Sequence, residues 1–181
     1  MPKALKIKTA QPDAIDILTA DQTRLKKLFA EFRHLVENDD TNITRKDAVV
    51  REACDTLVIH AALKERLLYP ALRRALRDSI LVEEALIQLA AATALIDQLK
   101  KMEAGDEFFD AKFIVLGELM TAHFKEEEAT LFARARRTKL DLVVMGRRMM
   151  RMQEERVLGM RIEQTIADIN ISDSSAKGTL T

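Results

Sequence analysis

Between residues 109 and 131 an apolar series with helical spacing runs directly into two polar groups. Phe109, Phe113, Leu116 and Met120 recur at three- and four-residue steps and are followed on the same stripe by His123, Glu127 and Leu131. Within the stretch TAHFKEEEATLF (121–132), His123 and Glu127 stand four residues apart, one above the other on one helix face. That spacing is common in helices. Its place on the buried stripe is the constraint, because polar groups in a core row need partners from other elements. The chain must therefore set further helices against this one and place polar side chains opposite.

The rest of the sequence supplies them. Pro12 and Asp13 signal the start of a first helix reaching about Val36, with the stripe Leu18, Leu25, Phe29, Phe32 and Val36 and with Gln22 filling the gap in that row. A second helix is predicted from Thr44, capped there with Asp47 three residues on, to about Leu76. Its stripe is Val50, Ala53, Leu57, His60, Lys64, Leu67 and Ala71, and Pro70 should bend or interrupt it. A third, after Asp78 and Ser79, runs to about Met102 on an entirely apolar row that includes Leu89. A turn at residues 104–106 leads into the fourth helix, which ends near Arg136. Four amphipathic segments with short connections predict an all-α, up-down-up-down four-helix bundle over residues 12–137, after a flexible lead-in of residues 1–11. Residues 138–169 form an additional long C-terminal helix with five of the eight methionines, expected to pack on the bundle or to mediate association. Residues 170–181 are polar and expected to be a disordered tail.

Composition narrows the function classes. Lys plus Arg and Asp plus Glu number 29 each, so no net charge favours nucleic acid or an anionic membrane. The arginines between 134 and 151 are interleaved without aromatic stacking residues and read as a solvated helix face. The single cysteine, Cys54, excludes an internal disulfide and sits where a buried, inert thiol is expected. The start MPKALKIKTAQPD is too short and too charged for a signal peptide, and no run of 18 apolar residues exists, which predicts a cytoplasmic protein. Glycine-rich phosphate loops, CxxC pairs and Ser/His/Asp signatures are absent.

The polar members of the core rows are thus Gln22, His60, Lys64, His123 and Glu127. Together with the segments DAIDILTADQTRLKKLF (13–29), ACDTLVIHAALKERLLYPAL (53–72), LIDQLKKMEAGDEFFDAKFIVLGELMTAHFKEEEATLF (95–132) and KLDLVVMG (139–146), they make the chain resemble the bacterial hemerythrin-like proteins with the HHE cation-binding domain. The resemblance implies a bundle holding a non-haem di-iron centre on histidines and carboxylates, used for oxygen carriage, sensing, or peroxide and nitric oxide chemistry. It is only half kept. Gln22 stands where the family has a first histidine, Lys64 where it has a carboxylate, and Leu89 at the position aligned with the histidine of the third helix. His60, His123 and Glu127 remain.

A lysine ammonium must lose a proton before it can bind a metal, and it repels a neighbouring cation. The expectation is therefore that Lys64 replaces the metal as counter-charge to Glu127, with Gln22 bonded to His60 or His123. Tyr69 either closes this cavity or reaches solvent. His34, Glu65, Glu126 and Glu128 are expected on the surface. The functional expectation is a non-enzymatic regulatory or protein-interaction module without a cofactor, meeting a protein partner or a second copy through the 138–169 helix. The alternative is an iron-binding oxygen or redox sensor that uses His60, His123 and Glu127.

Overall fold

The computed structural model describes residues 11–38, 41–76 and 80–177, and the described residues are helical with no strand. The first helix, α1, spans Ala14–Glu37. It begins at Asp13, whose Oδ1 accepts the backbone N–H groups of Ile15 and Asp16 at 2.8 and 2.9 Å, while Asp16 Oδ2 accepts that of Asp13 at 3.0 Å. This reciprocal box satisfies amides that a helix start otherwise leaves open. Helix α2, Ile43–Leu63, starts just ahead of the expected Thr44. Its cap is Asn42, whose side-chain oxygen accepts from Arg45 N at 2.9 Å, and asparagine outranks threonine in that role.

The second bundle arm is continuous but not uniform. A π-helical turn at Lys64–Leu68 separates α2 from α3, Tyr69–Ala75, with Pro70 in the first turn of α3. A proline lacks an amide donor and its ring crowds the carbonyl one turn back, so the ladder widens ahead of it instead of kinking. The extra residue rotates the next turns of the arm. Leu68, Tyr69 and Leu72 turn fully inward, and Leu67, predicted on the core stripe, is only half-buried. Helix α4 then runs from Ile80 to Leu99. The last arm is α5, Phe109–Glu127, extended through a second π turn, Glu128–Phe132, into the short α6, Ala133–Ala135.

α1, α2 with α3, α4, and α5 with α6 alternate in direction. The apolar residues separate into two clusters along this bundle. One gathers Leu25, Phe32, Leu57, Ile96, Phe109 and Phe113, and the other Leu18, Leu63, Leu68, Leu72, Leu89 and Phe132. Gln22, His60, Lys64, His123 and Glu127 are buried between them as a polar layer. Cys54 is 1% exposed in the first cluster, and burial pushes its thiol up to about 12, which leaves it an unreactive core group.

Helix α7 spans Leu142–Lys177, so its backbone continues past the expected end at residue 169, and the rest of the expected tail, 178–181, lies outside the described residues. Its first turns pack Met145 and Met149 on the second cluster. Gly146 makes the closest approach, since a Cβ there would meet Pro12 O at 2.6 Å and Asp13 C at 3.0 Å. Arg136 ties the same end, its guanidinium donating to Asp13 Oδ2 and Asp16 Oδ1 at 2.7 and 2.8 Å. No described helix is long and apolar enough to cross a membrane.

Gly146→Ala should destabilise the fold by about 1 to 3 kcal/mol, because the new methyl group meets backbone that cannot rotate away. Gly159→Ala, with nothing within 4 Å of the added carbon, should be neutral or slightly stabilising. Thermal unfolding of the two variants checks the contrast.

Candidate functional site

The polar layer is organised around Glu127. Its Oε2 accepts from Lys64 Nζ at 3.1 Å and from Gln22 Nε2 at 3.0 Å, and its Oε1 accepts from the Tyr69 hydroxyl at 2.7 Å. α1, the α2–α3 arm and α5 thus meet on one carboxylate. Gln22 was expected to bond a histidine and instead donates to Glu127. An amide N–H prefers a carboxylate oxygen to a ring nitrogen, because charge-assisted bonds are the stronger ones. Tyr69 is 2% exposed and closes the cage, which selects the inward alternative. The π turn produces this geometry, since it begins at Lys64 and delivers Tyr69 to the same side.

Lys64 also lies 2.8 Å from His123 Nε2. The Gln88 side-chain oxygen that faces the other ring nitrogen can only accept, so His123 Nδ1 carries the proton and its Nε2 offers the lone pair to Lys64. On that far side of the ring Nδ1 lies 2.6 Å from Gln88 Oε1, and Gln88 Nε2 donates to Glu126 Oε2 at 3.1 Å. A single chain of hydrogen bonds therefore leads from exposed Glu126 through Gln88, His123 and Lys64 to Glu127. The sequence does not single out Gln88, because it neighbours the core row without being in it. Leu89, one residue on, is 2% exposed and brings only apolar surface to the layer.

His60 faces the other way. Its Nδ1 is 3.5 Å from Asp21 Oδ2, and Gln153 on α7 donates to the same oxygen at 3.2 Å. Asp21 and Gln153 were also unforeseen, as both lie at the margin of their apolar stripes. Among the described residues, two buried atoms in the layer have no protein partner, Gln22 Oε1 and His60 Nε2. His34, Glu65, Glu126 and Glu128 are exposed, and Glu128 pairs with Lys26 at 2.8 Å.

Burial dominates the protonation of this layer. It lowers His60 and His123 from 6.5 to about 3 each, helped by the charge of Lys64. It also drives Lys64 below the usual lysine range, opposed by Glu127. Burial holds the Tyr69 hydroxyl well above its ordinary value, with the Glu127 charge acting in the same direction. Asp21 is raised to about 6 by burial against the pull of Arg24.

A buried layer of histidine, carboxylate, lysine and tyrosine at mid-height of an antiparallel helical bundle lies where metal-binding bundles place their ligands. The model of the hemerythrin HHE cation-binding domain matches residues 13–135, and the chain belongs to that family. Among solved structures, the crystal structure of a hemerythrin HHE cation-binding-domain protein from Mycobacterium kansasii is similar. Its TM-score is 0.68 at 19% identity, covering 85% of this chain and 93% of that one, which supports the shared fold. No curated protein is significantly similar in sequence.

The family name implies a cation, and the donor set does not fit a pair of metal ions. Lys64 Nζ takes both His123 Nε2 and Glu127 Oε2, the two ligands that would otherwise converge. Among the described residues no group of three or more His, Cys, Asp or Glu side chains is arranged to hold a metal.

Lys64→Ala should cost roughly 3 kcal/mol or more in chemical denaturation, because it leaves a buried carboxylate without its cation. Adding Glu127→Gln should recover a large part of that loss, whereas additive losses would show that the pair does not act as a unit. Acidification gives a second test. Unfolded histidines bind protons below 6.5 and the folded ones only near 3, so their contribution is complete above 6.5 and lost as pH falls through that window. Asp21, raised to about 6, works in the opposite direction over a narrower range. The unfolding midpoint should therefore fall between pH 7 and pH 4, and less steeply in His123→Gln.

Proposed function

We propose that this protein is a hemerythrin-family bundle in which a lysine-carboxylate pair has taken over the structural role of the metal centre, and that it works as a non-enzymatic protein-interaction module. The observation that carries this reading is the position of Lys64 Nζ, within hydrogen-bonding distance of His123 and Glu127 together. A metal bound there would have to displace an internal cation and leave it buried beside a second positive charge. Redox turnover on small oxidants has no support in such a core, since Lys64 already engages His123 and Glu127. Scaffolds outlast the chemistry of their sites, and the remaining working surface is α7.

Beyond Gln153 that helix exposes Val157, Leu158, Ile162 and Ile166 in place of a solvated polar face. Apolar residues at four-residue steps suit a helix that is completed by a partner. Changing Leu158, Ile162 and Ile166 together to Gln should leave the thermal midpoint within a few degrees of the parent. A large fall would place the stripe in the folded core and remove the interaction-arm reading.

One observation favours the alternative of a sensor with a reduced ligand set. His60 Nε2 is buried and without a protein partner, and could serve as a donor. Elemental analysis of untagged protein produced with iron supplied separates the two. Well under one metal per chain, and an unfolding midpoint indifferent to chelators, is the expected result. One iron or more per chain, with absorbance that responds to oxygen or peroxide, would overturn the metal-free core. The combined variant Gln22→His, Lys64→Glu and Leu89→His should gain iron.

A further inference from the structure

We infer that the distal part of α7 from one copy of this chain seats in the groove between α1 and α5 of a second copy. The inference rests on reading α7 as an interaction arm, and it names that arm's partner.

The groove is an apolar-floored concavity with a volume of about 630 Å³. Its base is formed by Phe29, Phe113, Ile114 and Gly117. The Phe29 and Phe113 rings pack with centroids 5.6 Å apart, and Gly117 lets the Phe29 ring lie so close that an added Cβ would approach it to 3.2 Å. Lys26, Arg33 and Lys125 stand on its rim against Glu118 and the neighbouring Glu128, which leaves one net positive charge there. Lys26 and Arg33 are partly engaged, with Glu128 and Glu118, while Lys125 has no ion-pair partner among the described residues.

The arm complements each of these features. Leu158, Ile162 and Ile166 are 60, 51 and 53% exposed and share one helix face. Glu154, Glu155 and Glu163 accompany them against Arg156 and Arg161, so the arm carries one net negative charge where the groove is net positive. None of these five forms an ion pair among the described residues. The lengths agree as well, since residues 154–166 of the arm and 113–125 of the groove each extend about 18 Å at 1.5 Å per residue. An apolar helix face with acidic flanks laid into an apolar groove with a basic rim is a standard mode of helix recognition. Reciprocal exchange of arms gives two equal contacts and closes a dimer.

Two exposed positions test this without disturbing the core. Ala122→Glu puts bulk and negative charge into the groove, and Ile162→Glu does the same to the arm. Sedimentation equilibrium of the full chain should show a dimer whose dissociation constant rises roughly tenfold or more in either variant, with unchanged helical circular dichroism. Mixing the two variants should restore association, because the intact arm of the Ala122→Glu copy meets the intact groove of the Ile162→Glu copy. Loss of association in Ile162→Glu alone, with no effect of Ala122→Glu, would mean arm-to-arm pairing and overturn the proposal. A parent protein that stays monomeric to about 100 μM, far above the micromolar range of a moderate complex, would overturn it too. That outcome leaves the interaction-arm reading standing for a different protein, and the metal analysis is unaffected by either result.

Discussion

A lysine nitrogen and a carboxylate held 3.1 Å apart, both almost fully excluded from water, are the contact on which the centre of this bundle depends. Neither charge is stable alone in such surroundings, since desolvation costs each several kcal/mol and their attraction offsets it only when the remaining donors and acceptors are also satisfied. Glu127 meets that condition with three donors from α1, the first π turn and α3. Lys64 meets most of it with His123 and Glu127. The pair thereby ties these elements together at one level of the bundle, between the two apolar clusters.

The π turns connect sequence to this geometry. One begins at Lys64 and the other immediately after Glu127, so both arms widen at the level of the polar layer. In the first arm the cause is traceable to Pro70, and its effect is to bring Tyr69 onto Glu127 while moving Leu67 outward. The second contains no proline and lies directly after the carboxylate itself. Single-turn π segments often sit where side chains must be re-aimed. Here they aim donors at a carboxylate.

α7 is coupled to the layer through one polar contact. Gln153 bonds Asp21, and Asp21 neighbours His60, so the proximal part of the helix is tied to the margin of the polar layer. Past that point Met160 still packs on the second cluster, while Leu158, Ile162 and Ile166 are exposed. Packed and exposed apolar residues thus alternate between faces of one continuous helix.

Much of this was legible in the chain itself. Amphipathic stripes with polar members at Gln22, His60, Lys64, His123 and Glu127 announced a helical bundle with a buried polar layer that contains a lysine. Side-chain chemistry and helical period are properties of the sequence. Which donor faced which acceptor was not legible. Gln22 turned to Glu127 and away from the histidines, Gln88 oriented His123, and Asp21 with Gln153 bracketed His60. These choices depend on the rotation and depth of one helix against another. The π turns set that rotation, and a period of 3.6 residues read along the sequence does not register one inserted residue. The sequence by itself determined which groups had to be buried together, through their spacing on apolar stripes. Only the tertiary structure decided how they share protons and hydrogen bonds, because distances across a bundle come from packing between helices and not from spacing within one.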